Sequence, residues 1–129
     1  MKTQNRSYIF IDRKNLSLEI NVSYKTWSRA GWYFANCPEL QLIDQGKSKE
    51  ESIENLSEMI IASLEEAIES NHIKEMLREL GFSRRTLTAP KKEYYELPVT
   101  LNKNMNMLYL MVPLSKVTID KPASERVSR

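Results

Sequence analysis

The feature that most constrains this chain is a helical pattern that begins at Ser48. Ser48 and Glu51 match a capping box, in which each side chain satisfies a backbone donor at a helix start. Apolar residues then recur at three- and four-residue steps, with most glutamates on the other side. These apolar residues are Ile53, Leu56, Ile60, Leu64, Ala67 and Ile68. The spacing predicts one long amphipathic helix that covers a sheet.

The strands that this helix would cover are predicted just before it. Residues 16–24 alternate between apolar and polar types, which is the clearest strand signal in the chain. The apolar run 32–35 ends before Pro38 and predicts a second strand. Residues 40–43 predict a third, followed by a turn at Gln45 and Gly46 in which Gly46 can take positive φ. Three consecutive strands with short links favour an antiparallel meander.

The second half of the chain carries weaker patterns. Residues 73–80 have helical spacing that ends at Gly81, and residues 83–93 read as an exposed basic loop. The apolar run 107–112 predicts a strand buried on both faces or in an interface, and residues 99–101 could pair with it. We therefore expect an α+β fold, with the meander and a C-terminal strand packed against the long helix.

At 129 residues the chain has the length of one domain. We place that domain at residues 16–119, between a flexible segment at 1–15 and a flexible tail at 120–129. No run approaches the roughly 18 apolar residues that span a membrane, and the start lacks the apolar core of a signal peptide. A cytoplasmic location is the default expectation.

Few residues suit catalysis or metal binding. Cys37 and His72 are the single cysteine and the single histidine, and they lie far apart in sequence, which disfavours a nucleophilic dyad, a disulfide and a zinc site. Three scattered glycines form no phosphate-binding loop. We predict no catalytic residues, no metal and no cofactor.

One enzymatic alternative remains open, a small metal nuclease of ribonuclease H type. Such an enzyme needs several carboxylates that converge from strand ends. The predicted strands offer Glu19, Glu39 and Asp44.

A second cluster mixes aromatic and basic residues. Trp27, Trp32 and Tyr33 lie near Lys25 and Arg29. Nucleic-acid platforms have this composition, but so do protein cores and protein interfaces. We rank a core role first, an interface second and nucleic acid third.

Charge is distributed unevenly along the chain. Residues 1–40 hold 6 Lys and Arg against 3 Asp and Glu, residues 41–80 hold 4 against 10, and residues 81–129 hold 9 against 4. The acidic middle could attract a basic partner, and the basic loop at 84–92 could attract RNA or DNA.

Residues 31–56 carry an ordered set of spaced features. These are an aromatic strand start after Gly31, the sequence Pro-Glu-Leu at 38–40, Gln-Gly at 45–46, Ser48 with Glu50 and Glu51, and Asn-Leu at 55–56. In these features the segment resembles the HicB-like family of toxin-antitoxin systems. With Leu-Gly-Phe at 80–82 and a later apolar strand, the resemblance extends over about residues 16–119. It implies a truncated ribonuclease H-like fold without catalytic acids.

The resemblance also implies a function and a partner. Family members bind HicA, a small basic toxin that cleaves messenger RNA, and block it by steric occlusion. The candidate contact residues are Trp32, Tyr33, Pro38, Glu39, Glu54, Glu58 and Glu65.

The resemblance and the apolar surface lead to two expectations about assembly. The apolar run 107–112 and the helix leave enough hydrophobic surface to predict a homodimer or higher homo-oligomer. Many family members add a C-terminal DNA-binding domain, but residues 113–129 are too few for one, so DNA binding through such a domain is doubtful.

Overall fold

The computed structural model describes residues 6–85, 89, 91–98 and 105–115. Every strand pairing among these residues is antiparallel, so the chain is α+β with an antiparallel sheet and two helices. The elements are β1 (Tyr8–Asp12), β2 (Ser17–Arg29), β3 (Trp32–Cys37), β4 (Leu42–Gly46), α1 (Lys49–Glu69), α2 (Ile73–Glu79), β5 (Ser83–Arg85), β6 (Lys92–Glu96) and β7 (Asn106–Pro113).

The 13-residue strand β2 organises the sheet. Strands β1 and β7 both pair with residues 17–21, so they lie on opposite edges of β2. Strand β3 pairs farther along, with residues 25–29. The strand order is therefore β4, β3, β2, β1, β6, β5, with β7 attached to β2 outside this path.

The N-terminal region differs from the flexible segment predicted for residues 1–15. Residues 8–12 form β1, which pairs with β2 on one side and with β6 on the other. Ile9 and Ile11 are fully buried. A five-residue strand gives little periodicity to detect, and its neighbour β6 lies about 80 positions later in the chain. Pairing between such distant segments leaves no pattern in the local sequence.

A two-residue turn joins β2 to β3. Ala30 and Gly31 both have positive φ, at 52° and 82°, and Arg29 lies opposite Trp32. This is the geometry of a type I′ turn, whose twist matches that of the strands it connects. The hairpin of β2 and β3 is therefore tightly closed.

The third predicted strand, at residues 40–43, begins later in the structure, at Leu42. Gln41 has φ of 57°, and its N–H donates to the carbonyl of Pro38 at 3.2 Å, so residues 38–41 form a turn. Strand β4 follows at residues 42–46 and includes the predicted Gln45 turn position. The positive φ falls on Gln41 and not on Gly46.

Gly46 has a different role from the one its sequence context suggests. It is buried at the end of β4, and a Cβ atom there would lie 2.7 Å from the backbone nitrogen of Ser52. Glycine thus permits the backbone of α1 to approach the strand closely.

Both predicted helices are confirmed. Ser48 caps α1, with its Oγ accepting from the backbone N–H of Glu51 at 3.1 Å. The Glu51 carboxylate accepts in turn from the backbone N–H of Lys47 at 2.6 Å, one residue before the position expected for a capping box. Helix α2 ends before Gly81, which has φ of 100°.

The core lies between the helices and one face of the sheet. Leu56, Ile60 and Leu64 of α1 are fully buried, as are the inward residues of β1 and β2. Those sheet residues are Ile9, Ile11, Leu18, Ile20 and Val22. In the part of the chain that the structure describes, neither helix is both long and apolar enough to cross a membrane.

The C-terminal half is more open than predicted. Strand β7 pairs with β2, but Tyr109 and Met111 are 53% and 56% exposed, so the strand is not buried on both faces. The segment predicted as a loop at 83–93 contains β5 and the start of β6. The hairpin arm predicted at 99–101 and the tail at 120–129 lie outside the described residues.

Candidate functional site

The predicted contact residues of the helix share one outward surface. Glu54 and Glu58 are exposed and Glu65 is half-buried, whereas the inward residues of α1 pack on the sheet. The helix contains seven glutamates and one lysine. We call Glu50, Glu54, Glu58, Glu65 and Glu66 the acidic face.

Among the described residues, no cation forms an ion pair with the centre of the acidic face. None of the ion pairs within the described residues involves Glu54, Glu58 or Glu65; all four lie on the strands or beside them. Glutamates four residues apart on a helix are neighbours and repel one another. The face therefore presents a concentrated negative potential to solvent.

The predicted contact residues of the hairpin are also accessible. Trp32 and Tyr33 are 37% and 38% exposed, and Pro38 is exposed. Trp32 and Tyr33 are consecutive in β3, so they point to opposite faces of the sheet. They do not belong to one patch.

Glu39 is the exception, because it is buried. Only 7% of it is exposed, and its carboxylate accepts from the Ser23 backbone N–H at 2.7 Å, the Ser23 hydroxyl at 2.8 Å and the Ser7 hydroxyl. It thus satisfies a backbone donor of β2 near the base of the hairpin. The structure corrects the prediction of a partner contact, since this carboxylate is occupied inside the fold.

The three acids of the nuclease alternative do not converge. Glu19 accepts from the hydroxyls of Tyr8 and Tyr109 at 2.7 and 2.9 Å, whereas Asp44 accepts from the backbone N–H of Gln45 at 2.8 Å. Glu39 is occupied as described above. Residues 6–85, 89, 91–98 and 105–115 contain no group of three or more His, Cys, Asp or Glu able to hold a metal ion.

The two tyrosines on Glu19 have perturbed acidities. Partial burial, together with the Glu19 carboxylate, raises the pKa of Tyr8 well above its usual range. The hydrogen bond to Glu19 raises the pKa of Tyr109 as well. Both phenols therefore stay protonated and act as donors to Glu19 at neutral pH.

Cys37 and His72 do not form a nucleophilic pair. Burial, with the nearby Glu39 carboxylate, raises the pKa of the Cys37 thiol to about 12, so the thiol stays protonated. His72 is exposed at the start of α2, where its Nδ1 lies 2.5 Å from the Ser70 hydroxyl.

A groove of about 410 Å³ lies between the turn at residues 40–41 and the two helices. Its lining combines apolar and polar side chains. The apolar ones are Leu40, Leu64, Met76 and Leu80, and the polar ones are Gln41, Ser63 and Glu79. With Glu79 as the one ionisable residue among those that line it, the groove does not identify a cofactor or a reaction.

Sequence reasoning missed part of the aromatic and basic cluster. The cluster is predicted first as core, yet Trp27 and Trp32 are 38% and 37% exposed. Phe34 and Lys47 belong to the same surface, because Phe34 stacks on Trp27 and Lys47 lies over Trp32. Period-two alternation in residues 25–36 is the signal that identifies Phe34, whereas the contact of Lys47 with Trp32 depends on the tertiary structure.

The basic segment at 84–92 is described only in part. Arg84 and Arg85 alternate along β5, with Arg84 over the ring of Tyr95 and Arg85 over that of Tyr94. Arg85 also lies 3.8 Å from the Glu96 carboxylate. Residues 86–88 and 90 lie outside the described residues. Nucleic-acid binding by this segment stays a prediction, as does the homo-oligomer.

Comparisons of the chain with protein-family models, with curated proteins and with solved structures found no match.

Proposed function

We propose that this protein is an antitoxin-like binding protein that neutralises a small basic toxin of the HicA type by steric occlusion. The observation that carries the proposal is the acidic face of α1, in which Glu54, Glu58 and Glu65 have no cationic partner among the described residues. A basic protein complements this face.

The arrangement of the strands supports the same proposal. Strands β2, β3 and β4 form an antiparallel meander that leads directly into α1. The resemblance to the HicB-like family implies a truncated ribonuclease H-like fold for this part of the chain.

The proposed mechanism is electrostatic docking followed by occlusion. A cluster of like charges steers an oppositely charged protein and accelerates association, most strongly at low salt. The rigid helix would then cover the RNA-binding surface of the toxin. No covalent step is involved.

The test is co-expression with a HicA-type toxin encoded beside this gene. We expect the wild-type chain to restore growth and to co-purify with the toxin. The variant Glu54→Lys/Glu58→Lys should lose at least tenfold in affinity, since like charges across an interface cost several kcal/mol. Both side chains are exposed, so the fold should persist.

The matched control is Glu75→Lys/Glu79→Lys on α2, which reverses the same number of exposed acids away from the acidic face. It should rescue growth as the wild type does. Equal loss in both variants would show a general charge effect and reject the acidic face as the contact. Failure of the wild-type chain to bind or to rescue would reject the function.

A further inference from the structure

A second surface lies on the sheet side that α1 leaves open, across β2, β3 and β4. Strand register places side chains there in three rows of neighbours. The rows are Arg29, Trp32 and Lys47; Trp27, Phe34 and Gln45; and Lys25, Asn36 and Ile43. We call these nine residues the hairpin face.

The hairpin face is exposed because α1 packs on the other side of the same strands. Ala35 and Cys37, which alternate with Phe34 and Asn36, are fully buried. Gly46 lies against the backbone of α1. Since successive side chains of a strand point to opposite faces, the aromatic set must point away from the helix.

The aromatic residues form flat, accessible rings. Trp27 and Phe34 are stacked, with ring centroids 5.5 Å apart and an angle of 12° between the ring planes. Trp32 lies two residues before Phe34 on β3, roughly 7 Å away along the strand. Together these rings provide two places where a planar base could stack.

All charged residues of the hairpin face are positive. It contains Lys25, Arg29 and Lys47 and no carboxylate. None of the three cations takes part in an ion pair within the described residues. Lys47 lies 5.1 Å from the centroid of the Trp32 ring, so one cation is already held beside an aromatic ring.

We propose that the hairpin face binds single-stranded nucleic acid. Bases would stack on Trp32 and on the pair formed by Trp27 and Phe34, while Lys25, Arg29 and Lys47 contact phosphates. Stacking is tolerant of sequence, and the cations supply salt-dependent affinity. The proposed function uses a different surface, the acidic face of α1, so the two proposals are independent.

Charge disfavours the protein partners considered above. A basic toxin would be repelled by the hairpin face. In a symmetric dimer through this face the three cations of one copy would oppose those of the other, because a twofold interface joins the same patch on both copies. A polyanion with planar bases complements both the charge and the rings.

The protein carries its own reporter for the test. Trp27 and Trp32 are the two tryptophans of the chain, and both lie on the hairpin face. A labelled single-stranded RNA of about 12 nucleotides and a DNA of the same sequence should each be added to the full-length protein. We expect quenching of tryptophan fluorescence together with a rise in the anisotropy of the label.

Salt should weaken this binding in proportion to the phosphates contacted. Three contacts to a single strand predict a slope of about −2 in a plot of log Kobs against log salt. The variant Lys25→Gln/Arg29→Gln keeps both tryptophans and should reduce the slope to about −0.7. The control Lys74→Gln/Arg78→Gln removes two exposed cations from α2 and should leave the slope unchanged.

Stacking is tested separately by Trp32→Ala, which should weaken binding about tenfold in the anisotropy assay. Its circular dichroism and urea midpoint should stay near those of the wild type, since Trp32 is on the surface. If this variant fails to fold, the Lys25→Gln/Arg29→Gln measurement stands alone.

Several results would overturn the inference. The first is that nucleic acid does not quench tryptophan fluorescence at low salt. The second is that the Lys25→Gln/Arg29→Gln variant has the same salt slope as the wild type. The third is that the protein binds anionic lipid vesicles as tightly as it binds single-stranded nucleic acid. Quenching that follows protein concentration and not nucleic acid would show self-association, with the acidic face of one copy on the hairpin face of another.

Discussion

The acidic face and the hairpin face lie on opposite sides of the layer formed by α1 and the strands β3 and β4. The acidic face is built on one helix, and its glutamates project from positions that any exposed amphipathic helix would fill with polar residues. The hairpin face is built on three strands, and it combines two partly exposed tryptophans with three cations.

The two faces are specified by the sequence in different ways. Charge on the acidic face accumulates through repetition, so single glutamates should be replaceable. The hairpin face depends on register, because one slipped residue would turn its aromatic set toward α1. The acidic face lies on α1 and the hairpin face includes β4. A substitution that disturbs the contact between α1 and β4 should therefore affect both faces.

The largest expected effect comes from Glu39→Ala, which would break the support beneath the hairpin. The variant leaves the Ser23 backbone N–H and the hydroxyls of Ser23 and Ser7 without their acceptor. Buried donors left unsatisfied cost about 1 to 3 kcal/mol each, so we expect a loss of about 3 kcal/mol in the free energy of unfolding.

This loss should appear in urea titrations followed by tryptophan emission, which reports the hairpin face, and by circular dichroism at 222 nm, which reports mainly α1. The two transitions should coincide. Glu39→Gln keeps one acceptor oxygen and should lose less. A cost below about 1 kcal/mol for Glu39→Ala would mean that this carboxylate does not support the hairpin.

Gly46→Ala should have the next largest effect and should disturb both faces together. The added Cβ would lie 2.7 Å from the backbone nitrogen of Ser52, so α1 and β4 must separate. We expect a loss of about 2 kcal/mol in urea denaturation, which is typical of overpacking.

The matched control for Gly46→Ala is Gly31→Asn in the hairpin turn. Gly31 has φ of 82°, a Cβ atom at this position would have no neighbour within 4 Å, and asparagine tolerates this backbone conformation. Its cost should be clearly smaller. Equal costs would indicate that the close approach of α1 to β4 does not limit stability.

The smallest expected effect concerns stability at acid pH. It depends on Asp12 in β1 and Glu93 in β6, which belong to neither the acidic face nor the hairpin face. Partial burial opposes ionisation of Glu93, but hydrogen bonds from Tyr95 and Arg13 and the charge of Arg13 outweigh it and lower the pKa of Glu93. For Asp12, hydrogen bonds from Asn15 and Lys14 and the charge of Lys92 likewise outweigh burial and lower the pKa.

Groups whose pKa is lowered by folding stabilise the protein fully above the unfolded-state pKa, which is about 4. This stabilisation is lost as pH falls through the lower folded-state values. The urea midpoint should therefore be level above about pH 5 and fall below about pH 4. Glu93→Gln should flatten the fall, whereas Glu58→Gln on the acidic face should retain it. A fall that Glu93→Gln does not change would exclude Glu93 as a source.

Local patterns predicted the elements that are long and regular. The cap at Ser48, the apolar stripe of α1 and the alternation in β2 identify their elements because each depends on neighbours within a few residues. The exposed positions of Glu54 and Glu58 follow from the same periodicity. Local periodicity therefore suffices to identify the glutamates of the acidic face, although it does not say what they bind.

The missed features depend on distant residues. Strand β1 exists because residues 92–96 pair with it, and Glu39 is buried because Ser7 and Ser23 converge on it. Val112 and Tyr109 sit in one apolar run, yet one is 8% exposed and the other 53%. Hydropathy alone does not separate them.

The two distinct faces of these strands and the apolar stripe of α1 can be recognised from the sequence alone. Which face of the hairpin α1 covers depends on the tertiary fold. Alternation places Trp27, Phe34 and Trp32 together without stating whether they meet a helix or solvent. The close approach at Gly46 settled that choice, because it brings α1 onto the side of Ala35 and Cys37 and leaves the aromatic side open.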